Sequence, residues 1–166
     1  MKTEFFASPS PNTISHRPQI IIREAAARDA ISINSLYQLL SANQAINVKP
    51  ERIVAIANHD DHFLLVAEIE KNVCGTAFMS FCMDAMFGEQ PFTVIENVIV
   101  APARQHCGIG KKLLAQIEAM SIARASSKIM LLSSSEREAA HAFFRENGYA
   151  SDKKRGFVKY RSQFSR

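Results

Sequence analysis

The chain has no tryptophan and only three cysteines among its 166 residues. An odd cysteine count argues against a disulfide framework, and the spacing of Cys74, Cys82 and Cys107 fits no metal-ligand or redox motif. We therefore expect reduced thiols, with Cys74 and Cys82 packed inside a strand. Cys107 would need a neighbouring base to act as a nucleophile, and His106 is the one adjacent candidate, so this is the weaker interpretation.

Long hydrophobic runs are also absent. No apolar stretch approaches the roughly 18 residues that a membrane span needs, and residues 1–18 lack the continuous apolar core of a signal peptide. That segment contains three prolines and several serines, which predicts a flexible polar arm followed by a single domain over residues 19–166. The expected location is cytoplasmic, with no membrane partner.

Charge of one sign is not concentrated anywhere along the chain. The 20 basic and 16 acidic residues give a net charge of +4, but no run of five basic residues occurs. This mild excess suits an anionic ligand, and it would suit nucleic acid as well. Without a basic run, nucleic acid is the less favoured partner.

The hydrophobic pattern predicts ten elements in the order β-α-α-β-β-β-α-β-α-β. Short links predict that the three middle strands are antiparallel neighbours, and a helix between the fourth and fifth strands predicts a parallel crossover. The fold class is therefore α/β (α+β), with a mixed, mostly antiparallel sheet and helices on both faces. The predicted strands span residues 19–25, 62–70, 73–83, 92–100, 128–135 and 156–161, and the predicted helices span residues 27–40, 50–59, 108–125 and 136–149.

The stretch QHCGIG, residues 105–110, lies where a strand gives way to a helix. Gly108 and Gly110 would let the backbone approach a ligand closely. The first amides of a helix have no internal partner and carry partial positive charge, so a phosphate there would accept several N–H bonds. Lys111 and Lys112 would add charge. A glycine-eased turn with solvated lysines is an equal alternative, and neither the dinucleotide fingerprint nor the P-loop spacing is present.

Three motifs around this loop resemble the GNAT superfamily of N-acetyltransferases. Gln105, Gly108 and Gly110 match a Gln/Arg-x-x-Gly-x-Gly/Ala loop, and the segment from Val100 to Pro102 matches the Val-x-Pro element that precedes it. The stretch AHAFFRENGY, ending at Tyr149, is similar to the family's last helix and its Gly-aromatic end. By the order of elements, the resemblance covers residues 19–161.

The resemblance implies acetyl-CoA as the cosubstrate, bound where the fourth strand splays from its parallel neighbour. Its pantetheine arm would lie along that strand and its pyrophosphate on the loop amides. The implied binding residues are Val98, Ile99, Val100, Gln105, His106, Cys107, Gly108, Ile109, Gly110, Lys111 and Phe144.

Glu96 is the candidate general base. Strict alternation along the strand would place it on one face with Val94, Val98 and Val100, where apolar surroundings would raise the pKa of its carboxyl. A lysine-like amine, with a pKa near 10.4, must lose a proton before it attacks a thioester. A glutamate at this place also resembles the base of some family members. The alternative is a structural or substrate-contacting glutamate.

The resemblance fails at one position. Many members place a general-acid tyrosine in the last helix, but the matching residue here is Phe144, and a phenyl ring donates no proton. Either the thiolate leaves with solvent help, because a thiol pKa is only about 8.5, or another group donates the proton. His141, one turn earlier on the same face, is the catalytic candidate; substrate contact is its other role.

The sequence therefore predicts direct acetyl transfer from acetyl-CoA to a primary amine of a small molecule, in a ternary complex and without a metal. The acceptor is expected near loop 84–91, where Asp84 and Glu89 could hold a cation, and near residues 27–40 and 41–49. The alternatives are a non-catalytic acyl-CoA-binding or regulatory module, and an acetyltransferase for a protein- or tRNA-linked amine. A homodimer is expected from the resemblance alone.

Overall fold

The computed structural model describes residues 18–165, so the predicted polar arm lies outside the described residues apart from Pro18. The strands are β1 (Ile21–Glu24), β2 (His62–Ile69), β3 (Asn72–Cys82), β4 (Phe92–Val100) and β5 (Ile129–Leu131). The helices are α1 (Ala30–Leu40), α2 (Pro50–Ala57), α3 (Ile109–Ala123) and α4 (Glu138–Glu146). Short 3₁₀ turns span Ala27–Asp29, Pro102–Arg104 and Arg161–Gln163.

The five strands form one sheet in chain order. The pairs β1–β2, β2–β3 and β3–β4 are antiparallel, and β4–β5 is parallel. This confirms the predicted mixed, mostly antiparallel sheet. One face packs on α3 and α4, and the other packs on α1 and α2. The first core includes Leu65, Ala77, Met79, Ile95, Leu113, Ile117 and Phe144, and the second includes Ala30, Ile33, Ile53, Leu64 and Val66.

The hairpin between β2 and β3 turns one residue earlier than predicted. Ile69 pairs with Asn72, so the turn residues are Glu70 and Lys71 rather than Lys71 and Asn72. Their φ angles are 50° and 66°. A two-residue turn with positive φ at both positions matches the right-handed twist of the strands, even where neither residue is glycine.

A partly buried ion cluster joins β1 to β2 and to the turn before α1. Arg23 donates through both terminal nitrogens to Asp29, at 2.7 and 3.0 Å, and through Nε to Glu68 at 2.9 Å. The Asp29 carboxylate also accepts the Ala26 N–H at 2.7 Å. The helix predicted over residues 27–40 begins at Ala30 instead, and Asp29 lies in the 3₁₀ turn that leads into it.

The predicted last strand, residues 156–161, is wrong. Residues 150–165 are exposed throughout, and Phe157 is 89% exposed. A strand forms only where a partner offers backbone hydrogen bonds. The edge strand β5 has three residues rather than the predicted 128–135, so the free edge is short. The alternating pattern of GFVKY therefore has no ladder to join in the described part of the chain.

Candidate functional site

A bulge in β4 sets the geometry of the site. Phe78 pairs with Glu96, whereas Thr76 pairs with Ile99, so β4 carries one extra residue against β3. Asn97 lies at this point with a φ of 56°. A bulge bends a strand and interrupts its ladder.

The bulge overturns the predicted faces of β4. Val98 and Val100 pack with Ile95 on the core of α3 and α4. Glu96 instead lies opposite Phe78, which packs on the core of α1 and α2. Because one extra residue resets a two-residue period, Glu96 shares no face with Val98 and Val100.

Glu96 is an exposed residue. The expectation of a carboxylate buried among valines is therefore wrong, and with it the desolvation argument. Among residues 18–165 the ion pairs join Arg23 to two acids, Arg124 to Asp61 and Lys153 to Asp152, so Glu96 is not held by an arginine or lysine there. The carboxylate is free to contact a solvated partner.

Beyond the bulge, β4 and β5 separate. Their pairing ends at Ile95 and Leu131, although β4 continues to Val100. Ala101 donates its N–H to Cys74 on β3, at 2.8 Å. Because main-chain groups alternate along an antiparallel ladder, those of Val98 and Val100 point the other way, into the gap. This confirms the splayed parallel pair and gives a slot edged by main-chain donors and acceptors.

The slot leads to the first turn of α3. Gly108 is the N-cap, with a φ of 82° and no side-chain cap. The first bond of the helix runs from the Lys112 N–H to the Gly108 carbonyl at 3.1 Å. The N–H groups of Ile109, Gly110 and Lys111 precede that bond and lack helix carbonyls as partners. They form a site of partial positive charge that suits an anion.

The side chains of the loop divide between solvent and core. Gln105, His106 and Cys107 are exposed, and the Gln105 amide donates to the Val100 carbonyl at 3.3 Å. Ile109 is 1% exposed and fixes the start of α3 against the sheet. Lys111 is exposed beside the free amides. The loop is thus anchored at one residue and open at the others.

Gly110 has a packing role that the sequence did not indicate. A Cβ added to it would lie 2.8 Å from the ring of Phe143 on α4. Gly108 differs, since a Cβ there would meet nothing within 4 Å, although its positive φ disfavours other residues. The two glycines therefore have different roles: Gly108 gives the cap its conformation, and Gly110 lets α4 approach α3.

Phe144 lies in the core of α3 and α4. It is 9% exposed, and its ring centroid lies 5.4 Å from that of Phe143 and 5.8 Å from that of Tyr149. The end of α4 is a Schellman motif: Tyr149 N–H donates to the Phe144 carbonyl and Gly148 N–H to the Arg145 carbonyl. A contact between Phe144 and the cosubstrate stays a prediction.

His141 is tied to the loop before α4. Its Nε2 lies 2.9 Å from the carbonyl oxygen of Ser134, so a protonated Nε2 donates to that oxygen. The ring lines a cleft of about 1110 Å³ bounded by β5, α3, α4 and residues 150–156. With one nitrogen occupied, His141 can serve as a proton donor to a ligand only through Nδ1.

Tyr37 and Asn97 are site residues that the sequence analysis missed. Tyr37 on α1 packs on the same core as Phe78, with its hydroxyl near the Asn97 side chain. Burial raises the pKa of Tyr37 to about 12, against the opposing effect of Asn97. The available signal was Asn97 itself, because asparagine is disfavoured inside a strand and tolerates positive φ.

No helix within residues 18–165 is both long enough and apolar enough to cross a bilayer. The same range brings together no group of three His, Cys, Asp or Glu side chains suited to a metal ion.

Comparison with known proteins gives one family. The sequence model of the acetyltransferase (GNAT) family matches residues 33–149. No curated protein matches the chain by sequence.

Solved structures share the architecture at low identity. The glucosamine-6-phosphate N-acetyltransferase from Arabidopsis thaliana has a TM-score of 0.74 at 20% identity, over 86% of this chain and 99% of that one. The aminoglycoside N-acetyltransferase AAC(6')-Iy, in complex with CoA, has a TM-score of 0.75 at 17% identity, over 89% and 99%. A Trypanosoma brucei acetyltransferase has a TM-score of 0.71 at 20% identity, over 86% and 100%. These likenesses show the fold.

Proposed function

Because the chain belongs to the acetyltransferase (GNAT) family, and is thus an acetyl-CoA-dependent acyltransferase, we propose that it acetylates the primary amine of a small molecule. Transfer is direct, within a ternary complex of protein, acetyl-CoA and amine. The observation that carries this proposal is the uncapped N-terminus of α3 at the end of the slot between β4 and β5. A diphosphate and an extended arm need these two features side by side.

The diphosphate of acetyl-CoA would bind the N–H groups of Ile109, Gly110 and Lys111. Charge-assisted bonds to main-chain amides at a helix N-terminus need no specific side chain. Gln105, His106, Cys107 and Gly108 complete the rim of this loop, and Lys111 supplies a full positive charge. The buried Ile109 keeps the amides in place before a ligand arrives.

The pantetheine arm would lie in the slot. Amide groups of the arm can pair with the main-chain groups of Val98 and Val100, which face the gap, while Ile99 holds β4 on β3. This arrangement extends the sheet by one strand-like ligand. The thioester would then lie close to the bulge, beside Glu96.

Glu96 would accept the proton of the incoming ammonium group, directly or through one water. The neutral nitrogen then attacks the thioester carbonyl, a C–N bond forms, the C–S bond breaks, the sulfur leaves as a thiolate, and the nitrogen releases its second proton to solvent. A positioned base of this kind contributes roughly 10²–10⁴ in rate. The exposed carboxylate suits this role because it is open to solvent and attracts the cation.

The departing thiolate would take its proton from solvent. Phe144 has no proton to give, and His141 Nε2 is engaged with Ser134. A thiol pKa near 8.5 makes the thiolate an adequate leaving group without a dedicated acid. His141 then has a structural role unless its Nδ1 faces the sulfur.

The test combines binding with turnover. Acetyl-CoA should raise the melting temperature, because a ligand that binds only the folded state stabilises it, and amines should cause release of free CoA thiol. NAD and ATP serve as control ligands. Absence of acetyl-CoA stabilisation would contradict the donor site.

The second candidate is an acyl-CoA-binding module without catalysis. The buried phenylalanine at position 144, where many family members have a tyrosine, favours it. Stabilisation by CoA without thiol release on any amine would establish this alternative. Thiol release that saturates with amine would reject it.

A further inference from the structure

We infer that the acceptor amine has an apolar alkyl or aryl body, bound over an apolar floor formed by Val94, Met130 and Leu132, with its nitrogen at Glu96. This inference rests on the proposed function and specifies its acceptor. It follows from the register of the parallel strand pair, from exposure and from charge.

The register places the floor beside the carboxylate. Val94 and Met130 are partners in the β4–β5 pair. The alternate residues Ile129 and Leu131 pack on the core of α3 and α4, so Met130 points to the opposite face. Val94 and Glu96, two residues apart on an unbulged part of β4, share that face.

The helices leave this part of the face uncovered, and Gly156 lies against the Leu132 side chain at its edge. On this side of the sheet α1 packs on β3 and β4, and α2 packs on β2. Met130 is 40% exposed and Leu132, the residue after β5, is 50% exposed. Two large apolar side chains next to a candidate catalytic carboxylate form a surface that an apolar ligand would cover.

Charge and spacing identify the ligand. Glu96 adds one negative charge at the edge of the floor, which attracts one ammonium group. Two residues of a strand span about 7 Å and neighbouring strands lie about 4.8 Å apart. An amine whose nitrogen meets Glu96 would therefore place atoms about five or six bonds away over Val94 and Met130.

The first experiment compares apolar acceptors with polar ones. The kcat/KM of acetyl transfer is measured for n-hexylamine and 1,4-diaminobutane, and for 2-phenylethylamine and glucosamine. Each buried methylene contributes about fourfold, so the apolar member of each pair should be favoured by at least about tenfold. Equal or reversed preference would overturn the inference.

A substitution in the floor provides the second experiment. Met130→Gln keeps the length of the side chain and makes it polar, so it should lower kcat/KM for n-hexylamine and 2-phenylethylamine about fivefold, with most of the change in KM. The kcat/KM for 1,4-diaminobutane should change little. Ile122→Gln is the matched control, because Ile122 is 73% exposed on α3 and lies outside the site.

The outcomes separate this inference from the proposed function. If acetyl transfer to polar amines is equally efficient, the proposed acetyltransferase function still holds, but the inference of an apolar acceptor is wrong. A Met130→Gln variant with unchanged amine preference but a lower melting temperature, or with a changed oligomeric state, would show that another protein segment covers the floor, and the inference fails. Thiol release with no amine at all would contradict the proposed function itself.

Discussion

At the scale of single residues, one backbone irregularity decides what Glu96 can do. Asn97 adopts a positive φ inside β4, which asparagine tolerates better than most residues. Because the bulge resets the alternation, Glu96 faces solvent while Val98 and Val100 turn to the core and expose main-chain groups to the slot. A carboxylate in this position acts through contact with the amine rather than through desolvation.

Glu96→Gln should lower kcat roughly 10²–10⁴-fold, because the amide keeps the shape of the side chain but accepts no proton. The Kd for acetyl-CoA should not change, since the proposed donor contacts lie on other residues. Thiol-release kinetics and calorimetric titration measure the two quantities. Glu70→Gln, in the exposed turn after β2, is the control. Unchanged turnover in Glu96→Gln would show that Glu96 is not the general base.

Tyr37→Phe tests whether the Tyr37 hydroxyl, near Asn97, holds the bulge. A hydrogen bond contributes about 1 kcal/mol net, so kcat should fall roughly fivefold, with a smaller change in KM. Because the pKa of Tyr37 is raised to about 12, the hydroxyl stays protonated at neutral and mildly alkaline pH, and the loss should be constant over that range.

A double-mutant cycle supplies the control for Tyr37. In an Asn97→Gly background, which accepts positive φ but lacks the amide, Tyr37→Phe should have no further effect. The same fivefold loss in both backgrounds would mean that Tyr37 acts independently of Asn97. Tyr149→Phe, another half-buried tyrosine with its pKa raised to about 12, should leave kcat unchanged.

At the scale of elements, the ion cluster fixes how β1 meets β2 and the turn into α1. The hydrogen bond from Arg23 lowers the pKa of Asp29 in the folded state, more than burial raises it. A carboxyl whose pKa is lowered by folding stabilises the fold at pH values above its unfolded pKa, near 3.9. That stabilisation is lost as the pH falls toward the folded pKa. The cluster therefore makes the fold sensitive to acid.

Asp29→Asn should reduce the free energy of unfolding at pH 7 by roughly 1.5–3 kcal/mol, since Arg23 keeps only Glu68 as a charged partner. The difference in free energy of unfolding between wild type and variant should decrease as the pH falls below about 5. Urea unfolding at a series of pH values measures this. A difference in free energy of unfolding that stays constant down to pH 3 would contradict the role of the Asp29 charge.

The contact of α3 with α4 depends on Gly110. Gly110→Ala should destabilise the fold by roughly 1–3 kcal/mol, because its Cβ would overlap the Phe143 ring. Phe143→Leu in the same chain should restore part of the loss. Gly108→Ala, where space is open but φ is positive, is the comparison: its loss should be insensitive to residue 143. Thermal or urea unfolding of the four variants decides between the two causes.

At the scale of the whole molecule, the elements with strong periodicity were predictable and the irregular ones were not. The patterns of β2, β3, β4 and α3 place those elements within two residues of their observed ends, since each buries a full face. The bulge at Asn97 was not visible, because strict alternation has no signal for one extra residue. The segment 156–161 has strand propensity without a partner edge, which sequence alone cannot supply.

The candidate site also has parts that the sequence could predict and parts that it could not. The loop from Gln105 to Lys111 could be located from its glycines and from the family motif, because the main chain rather than the side chains forms the anion site. The environment of Glu96 and the contribution of Tyr37 depend on how two distant elements meet over the bulge. Those features become visible only in three dimensions.

The most direct measurement of the central claim is a crystal structure of the chain with CoA. We expect the diphosphate oxygens at hydrogen-bond distance, about 2.7–3.2 Å, from the N–H groups of Ile109, Gly110 and Lys111, with the pantetheine arm beside Val98 and Val100 and the sulfur close to Glu96. A diphosphate bound anywhere else, or an arm outside the gap between β4 and β5, would contradict the account.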